Sequence, residues 1–138
     1  MLFRSDTWRR NGFTKLGTDY AVPLDKTAEM IACYRRRLDP DLAGDYVLYG
    51  HIGDAHVHAN LMPRSQEKFD KGNAILMDCA RDAVALGGTV SAEHGLGKRK
   101  AQLLELQYTP AQLDSLRAVK QRFDPHWLLG RGNMLTPP

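Results

Sequence analysis

His51 and His58 stand seven residues apart in the run His51-Ile52-Gly53-Asp54-Ala55-His56-Val57-His58-Ala59-Asn60, and an unbroken strand would send them to opposite faces. The two imidazoles can act together only if the chain turns between them. A glycine leads the pair Gly53-Asp54, the composition of a two-residue hairpin turn. With that turn, Ile52 pairs with Ala55 and His51 with His56. Cross-strand partners share a face, so the period of two adds His58 and Asn60 to that face. His51 and His58 become diagonal neighbours, close enough to converge on one ion.

A second stretch, Gly87-Gly88-Thr89-Val90-Ser91-Ala92-Glu93-His94-Gly95-Leu96-Gly97, sets a carboxylate and an imidazole between glycine groups. Gly87-Gly88 is expected to end a helix, and Gly95-Leu96-Gly97 to allow a tight backbone before the next one. Glu93 and His94 therefore fall on a loop, where chemistry concentrates when rigid elements hold the loop's ends. Two imidazoles and a carboxylate suit a divalent metal that keeps positions open for substrate. His51, His58 and Glu93 are read as that set, with His94 beside it and free to move protons. The competing account of the same residues is a polar structural cluster. For His56 two readings stand side by side, a hydrogen-bonded structural residue or a further imidazole at the site.

The 138 residues have the length of one domain, and such a chain can bury roughly two-thirds of its unfolded surface. With 43% hydrophobic and 25% charged residues it has the balance of a soluble globular protein. No run approaches the roughly 18 apolar residues of a membrane helix. The start, Met1-Leu2-Phe3-Arg4-Ser5-Asp6, lacks the apolar core of a signal peptide, so a cytoplasmic location is expected. Cys33 and Cys79 fall among apolar residues in expected helices and are read as buried, reduced thiols. The net charge is +3, with clusters at Arg35-Arg36-Arg37 and Lys98-Arg99-Lys100. No aromatic residues interleave with them to stack on bases, and Arg35 to Arg37 read as a solvated helix end, so nucleic acid is not expected as a partner.

Residues 1–17 show no clear period and are read as a poorly defined segment before a domain over 18–138. Thr18 to Leu24 reads as a short strand that its proline assigns to an edge or an end. Asp25 is expected to cap a helix carrying Ala28, Ile31, Ala32 and Arg35 on one stripe and stopping near Leu38-Asp39-Pro40. After the hairpin, Ser65 caps a helix to about Leu86 with Phe69, Leu76, Ala80 and Ala83 inward. A helix through Leu103 and Leu104 follows. Thr109-Pro110-Ala111-Gln112 is a capping box, opening a helix with Leu113, Leu116, Val119 and Phe123 as its buried face and Asp124-Pro125 as its end. The glycine-rich tail, Leu128 to Asn133, reads as a loop. This order favours an α+β fold, an antiparallel sheet with helices packed on one face.

These residues resemble the C-terminal part of the FAD-linked oxidases, the family that includes D-lactate dehydrogenase, D-2-hydroxyglutarate dehydrogenase and the glycolate oxidase FAD subunit. The likeness runs from about Asp19 to the C-terminus. It is carried by the Asp-x-x-Val-Pro strand, the His-x-Gly-Asp-x-x-x-His-x-Asn hairpin, the Gly-Gly-Thr-x-Ser-x-Glu-His-Gly-x-Gly loop and the Phe-Asp-Pro ending, in order. The resemblance implies a partial ferredoxin-like substrate domain of a flavin-dependent enzyme that oxidises a 2-hydroxy acid by hydride transfer to FAD. It further implies that His51, His58 and Glu93 hold a divalent metal such as zinc, that Asn60 and Lys100 position the substrate carboxylate, and that His94 is the base.

Three departures stand out. Ala55-His56 replaces the usual Gly-Asn, which bears on the turn and on substrate identity. Gly130-Arg131-Gly132-Asn133 replaces the usual Asn-Pro-Gly-Lys, so an asparagine expected to face the flavin is missing at Gly130. No part of the chain resembles the family's flavin-binding domain, and Gly95-Leu96-Gly97 lacks the third glycine of a dinucleotide fingerprint. FAD is therefore expected to be held mainly by a separate domain or subunit, and the chain to be inactive without it. Interfaces left open in that way would favour self-association. Two other functions remain in play, a stand-alone metal-dependent hydrolase and a non-catalytic metal- or ligand-binding remnant.

Overall fold

The computed structural model describes residues 12–137 and resolves into two compact units, Met1–Ala92 and Glu93–Pro138. The expectation for residues 1–17 falls largely on residues 1–11, outside the described ones.

The first unit contains β1 (Leu16–Gly17), a 3-10 turn (Leu24–Lys26), α1 (Thr27–Leu42), β2 (Tyr46–His51), a second 3-10 turn (Ile52–Asp54), β3 (His56–Leu61) and α2 (Gln66–Ala85). Its strands form an antiparallel sheet in the order β1-β3-β2. The α+β class, with an antiparallel sheet and helices, is the observed one.

The strand expected over 18–24 is not formed there: β1 covers Leu16–Gly17 and ends before Thr18, with an isolated bridge at Ala21. Beyond it the chain keeps its register along β3 as far as Ala21, which bridges His56 on one side and Thr89 on the other. The alternation then sends Gly17, Asp19 and Ala21 to one face and Leu16, Thr18 and Tyr20 to the other. The second face is the one the helices cover. The Tyr34 hydroxyl of α1 reaches Thr18 Oγ1 at 3.2 Å, and the Tyr20 hydroxyl donates to the Leu76 carbonyl of α2 at 3.0 Å. Burial pushes both phenols well above the ordinary tyrosine range.

α1 departs from the sequence reading in four respects, the last being that Arg35 to Arg37, read as a solvated helix end, lie inside it. Its buried stripe is Met30, Cys33, Tyr34, Leu38 and Leu42. Ala28, Ala32 and Arg35 are exposed, because the larger side chains on the neighbouring stripe bury more apolar area. Asp25 lies in the preceding 3-10 turn and caps nothing. The helix also runs through Pro40 to Leu42. A proline so near the C-terminus removes one intrahelical bond, and the burial of Leu42 at 1% exposure holds the last turn. Arg37 lies mid-helix and grips the Asp82 carboxylate of α2 through Nε at 2.5 Å and a terminal nitrogen at 2.9 Å. That fork holds the Asp82 carboxyl below its usual range.

α2 follows expectation more closely. Ser65 Oγ accepts from the Lys68 amide, Leu76, Ala80 and Ala83 are buried, and Phe69 is half-buried against Phe13. The helix closes where Gly87 and Gly88 donate to the Val84 and Ala83 carbonyls. Cys33 and Cys79 are both free and buried, and burial pushes the Cys79 thiol up to about 12.

The second unit has a 3-10 turn (Ala101–Leu103) running into α3 (Leu104–Gln107), then α4 (Pro110–Phe123). Leu103 and Leu104 are buried, and the helix expected through them is a 3-10 turn followed by one short helix. The capping box at Thr109 and Gln112 is formed in both directions. The expected buried face of α4 is not: Leu113 alone is buried, while Leu116, Val119 and Phe123 are exposed. The tail is a series of turns organised by Asp124, whose carboxylate accepts from the Leu128 and Leu129 amides and from Lys120 Nζ.

Candidate metal centre

β2 and β3 pair in the register that the two histidines demanded, His51 opposite His56, Tyr49 opposite His58 and Val47 opposite Asn60. The connection differs from the two-residue turn. Ile52–Asp54 forms a 3-10 turn, the Ala55 amide donates to the Ile52 carbonyl, and Ala55 takes the left-handed conformation at φ 50°. Gly53 is not in the left-handed region; the strain falls on Ala55, at the end of a four-residue loop. His51 and His56 still face each other because the longer loop closes on the same pair. Gly50 is obligatory for that pairing, since a Cβ there would stand 2.4 Å from the His56 carbonyl oxygen.

One face of the hairpin therefore carries His51, His56, His58 and Asn60. The ring of His56 lies 4.3 Å from that of His58 and 5.7 Å from that of His51, with His51 and His58 6.3 Å apart between centroids. Each of the three rings offers a nitrogen within 4.8 Å of the others. His56 and His58 are buried, at 5% and 6% exposure, whereas His51 is exposed. Asn60 is buried two positions beyond His58, with its Oδ1 leaning over Gly17.

Two groups from residues 18 and 19 hold these rings. His58 Nδ1 is 2.9 Å from the Thr18 carbonyl oxygen. A carbonyl only accepts, so Nδ1 carries the proton and the neutral ring presents its lone pair at Nε2. The Asp19 carboxylate is 1% exposed. Its Oδ1 stands 3.2 Å from His56 Nε2, while Oδ2 accepts from Ser91 Oγ and the Ala92 amide, each at 3.1 Å. Asp19 was not among the residues singled out for the site. Its signal was a charged residue heading the otherwise apolar Tyr20-Ala21-Val22, in the register position opposite His58.

In the second unit, Glu93 Oε1 and His94 Nε2 stand 3.0 Å apart, both side chains open to solvent. Gly95 and Gly97 are left-handed, at φ 70° and 57°, with Leu96 buried between them. This is the tight backbone the two glycines were expected to supply. Lys100 is half-buried just ahead of the 3-10 turn, its amide on the Leu96 carbonyl. The first unit thus gathers His51 and His58, adds His56 and carries Asn60 on the same face. The second joins Glu93 to His94 and carries Lys100.

The donor set fits a metal. Converging imidazole nitrogens, one ring oriented by a backbone carbonyl and another with a carboxylate close by, suit a metal. No helix among the described residues is long and apolar enough to cross a membrane.

A family model described as FAD linked oxidases, C-terminal domain, matches residues 1–134. The glycolate oxidase subunit GlcD of Bacillus subtilis is 29% identical over 129 residues, covering 89% of this chain and 26% of that protein. A D-2-hydroxyglutarate dehydrogenase of Stutzerimonas stutzeri is 29% identical, with 86% of the chain and 28% of the relative covered. A D-lactate dehydrogenase of Archaeoglobus fulgidus is 37% identical, with 85% and 26% covered. The chain spans about a quarter of the length of these relatives.

Proposed function

The chain belongs to the FAD-linked oxidase C-terminal domain family, and from that premise we propose that it is the substrate- and metal-binding portion of a flavin-dependent enzyme that oxidises a 2-hydroxy acid. The names of its relatives speak of glycolate, D-lactate and D-2-hydroxyglutarate, which share a hydroxyl on the carbon beside a carboxylate. The observation that carries the reading is the convergence of His51 and His58 on one face, with His58 Nδ1 held by the Thr18 carbonyl.

His51, His58 and Glu93 hold the divalent metal, zinc being the ion suited to two imidazoles and a carboxylate. When bound, the metal supplies Lewis acidity at the substrate hydroxyl, and the flavin, held by another domain or subunit, supplies the hydride acceptor. Glu93 follows Ala92, whose amide Asp19 fixes within the first unit. His94 takes the substrate's hydroxyl proton, and its Glu93 partner stabilises the imidazolium that results. Lys100 and the Asn60 amide hold the substrate carboxylate and so orient the hydrogen on C2. The buried free thiols of Cys33 and Cys79 accord with a reducing cytoplasmic setting.

Zinc loading followed by elemental analysis and calorimetry tests this reading. The expectation is about one zinc per chain, lost in His58→Ala, with a 2-hydroxy acid bound only by the zinc-loaded chain. Equal zinc in both proteins, or hydrolysis of an activated ester by the zinc-loaded chain without flavin, would overturn it.

A further inference from the structure

We infer that His56 is a third imidazole donor, so that the hairpin alone presents an all-nitrogen triad, His51, His56 and His58, to the metal. This deepens the proposed function and rests on it. Three observations within the first unit carry the step. The three rings each offer a nitrogen within 4.8 Å of the other two. The His56 and His58 rings are the closest pair, 4.3 Å between centroids. Asp19 Oδ1 stands 3.2 Å from His56 Nε2, a carboxylate close beside the ring.

A histidine there for packing alone needs neither arrangement. An oxygen lies close to each of the two buried rings, the Thr18 carbonyl on His58 and the Asp19 carboxylate near His56, as outer oxygens do around metal-binding histidines. A set of three imidazoles favours zinc, nickel or copper over magnesium, calcium or manganese, which prefer oxygen.

The full-length chain tests this directly. Imidazole nitrogen NMR of the wild-type protein is followed as zinc is added, and zinc affinity is measured against a chromophoric chelator for the wild type, His56→Asn and Glu93→Gln. Zinc should shift ring signals of His51, His56 and His58 together. Because removing even an outer partner costs metal sites about 10–100-fold, His56→Asn should weaken zinc binding by at least about that factor. Glu93→Gln should weaken it less. The NMR arm needs no variant and stands if His56→Asn fails to fold. Zinc shifts at His51 and His58 with His56 unmoved would overturn this inference and leave the proposed function standing. Shifts at none of the three rings would overturn both.

Discussion

β3 and α4 both carry side-chain patterns regular enough to assign a face from sequence, yet one is wholly buried and the other largely bare. All six residues of β3 are buried, including His56, His58 and Asn60. Of the apolar stripe on α4 only Leu113 is buried, and Phe123 is 82% exposed. Periodicity says which residues share a face. What lies across that face decides burial, and β3 has β1 and β2 on its edges and α1 over one side within its own unit.

The sharpest way to break that comparison is truncation. Leu38, at 0% exposure in α1, should cost about 2–5 kcal/mol as Leu38→Ala, through lost transfer energy and the cavity left behind. Phe123→Ala should cost less than about 0.5 kcal/mol, because the ring is already in water. Urea denaturation followed by circular dichroism measures both. A Phe123→Ala loss comparable to that of Leu38→Ala would mean that the stripe on α4 is covered in solution, as self-association would do.

A buried charge sharpens the comparison next. Asp19→Ala removes the partner of His56 and the acceptor for Ser91 and Ala92 together, and should cost about 3 kcal/mol. Asp19→Asn keeps an acceptor for the amide and should recover part of the loss in the same measurement. A fully neutral Asp19→Ala would show that the network contributes nothing to the first unit.

The hairpin register was legible because a turn placed at Gly53-Asp54 pairs His51 with His56 and so brings His58 to the same face. Its loop was not, since Gly53 suggested the left-handed position that Ala55 takes instead. In α1 the stripe was misjudged because Ala28 and Ala32 fit the helical period as well as Met30 and Leu38 do, and side-chain size chose between them. Asp19 escaped notice as a site residue for a different reason. Its partners come from residues 56, 91 and 92, distant in sequence, and the charge ahead of the apolar Tyr20-Ala21-Val22 does not name them. Glu93 and His94 were legible as a loop pair from the glycines around them, and they do stand 3.0 Å apart.

In the second unit the clearest local signal should carry a modest energy. Thr109→Ala removes the side-chain half of a complete capping box and should cost about 1 kcal/mol, read as a lowered urea midpoint. An unchanged midpoint would mean that α4 is held by packing the sequence did not reveal.

The smallest expected effect is a change in acid response. Asp124 is held down to about 2, first by Lys120 and then by the Leu128 and Leu129 amides. Its folded pKa lies below the unfolded value of about 3.9. The stability it contributes is therefore fully present above that unfolded value and is lost as pH falls through it toward 2. Asp124→Asn cannot titrate, so its stability should fall less steeply than the wild type's across that interval while starting lower at neutral pH. Denaturation at a series of pH values would show the two curves converging in acid. Parallel curves would mean that the Asp124 carboxylate is no better held in the folded tail than in the unfolded chain, and that the turns after α4 rest on Trp127 and its contacts with Lys120 and Gln121 instead.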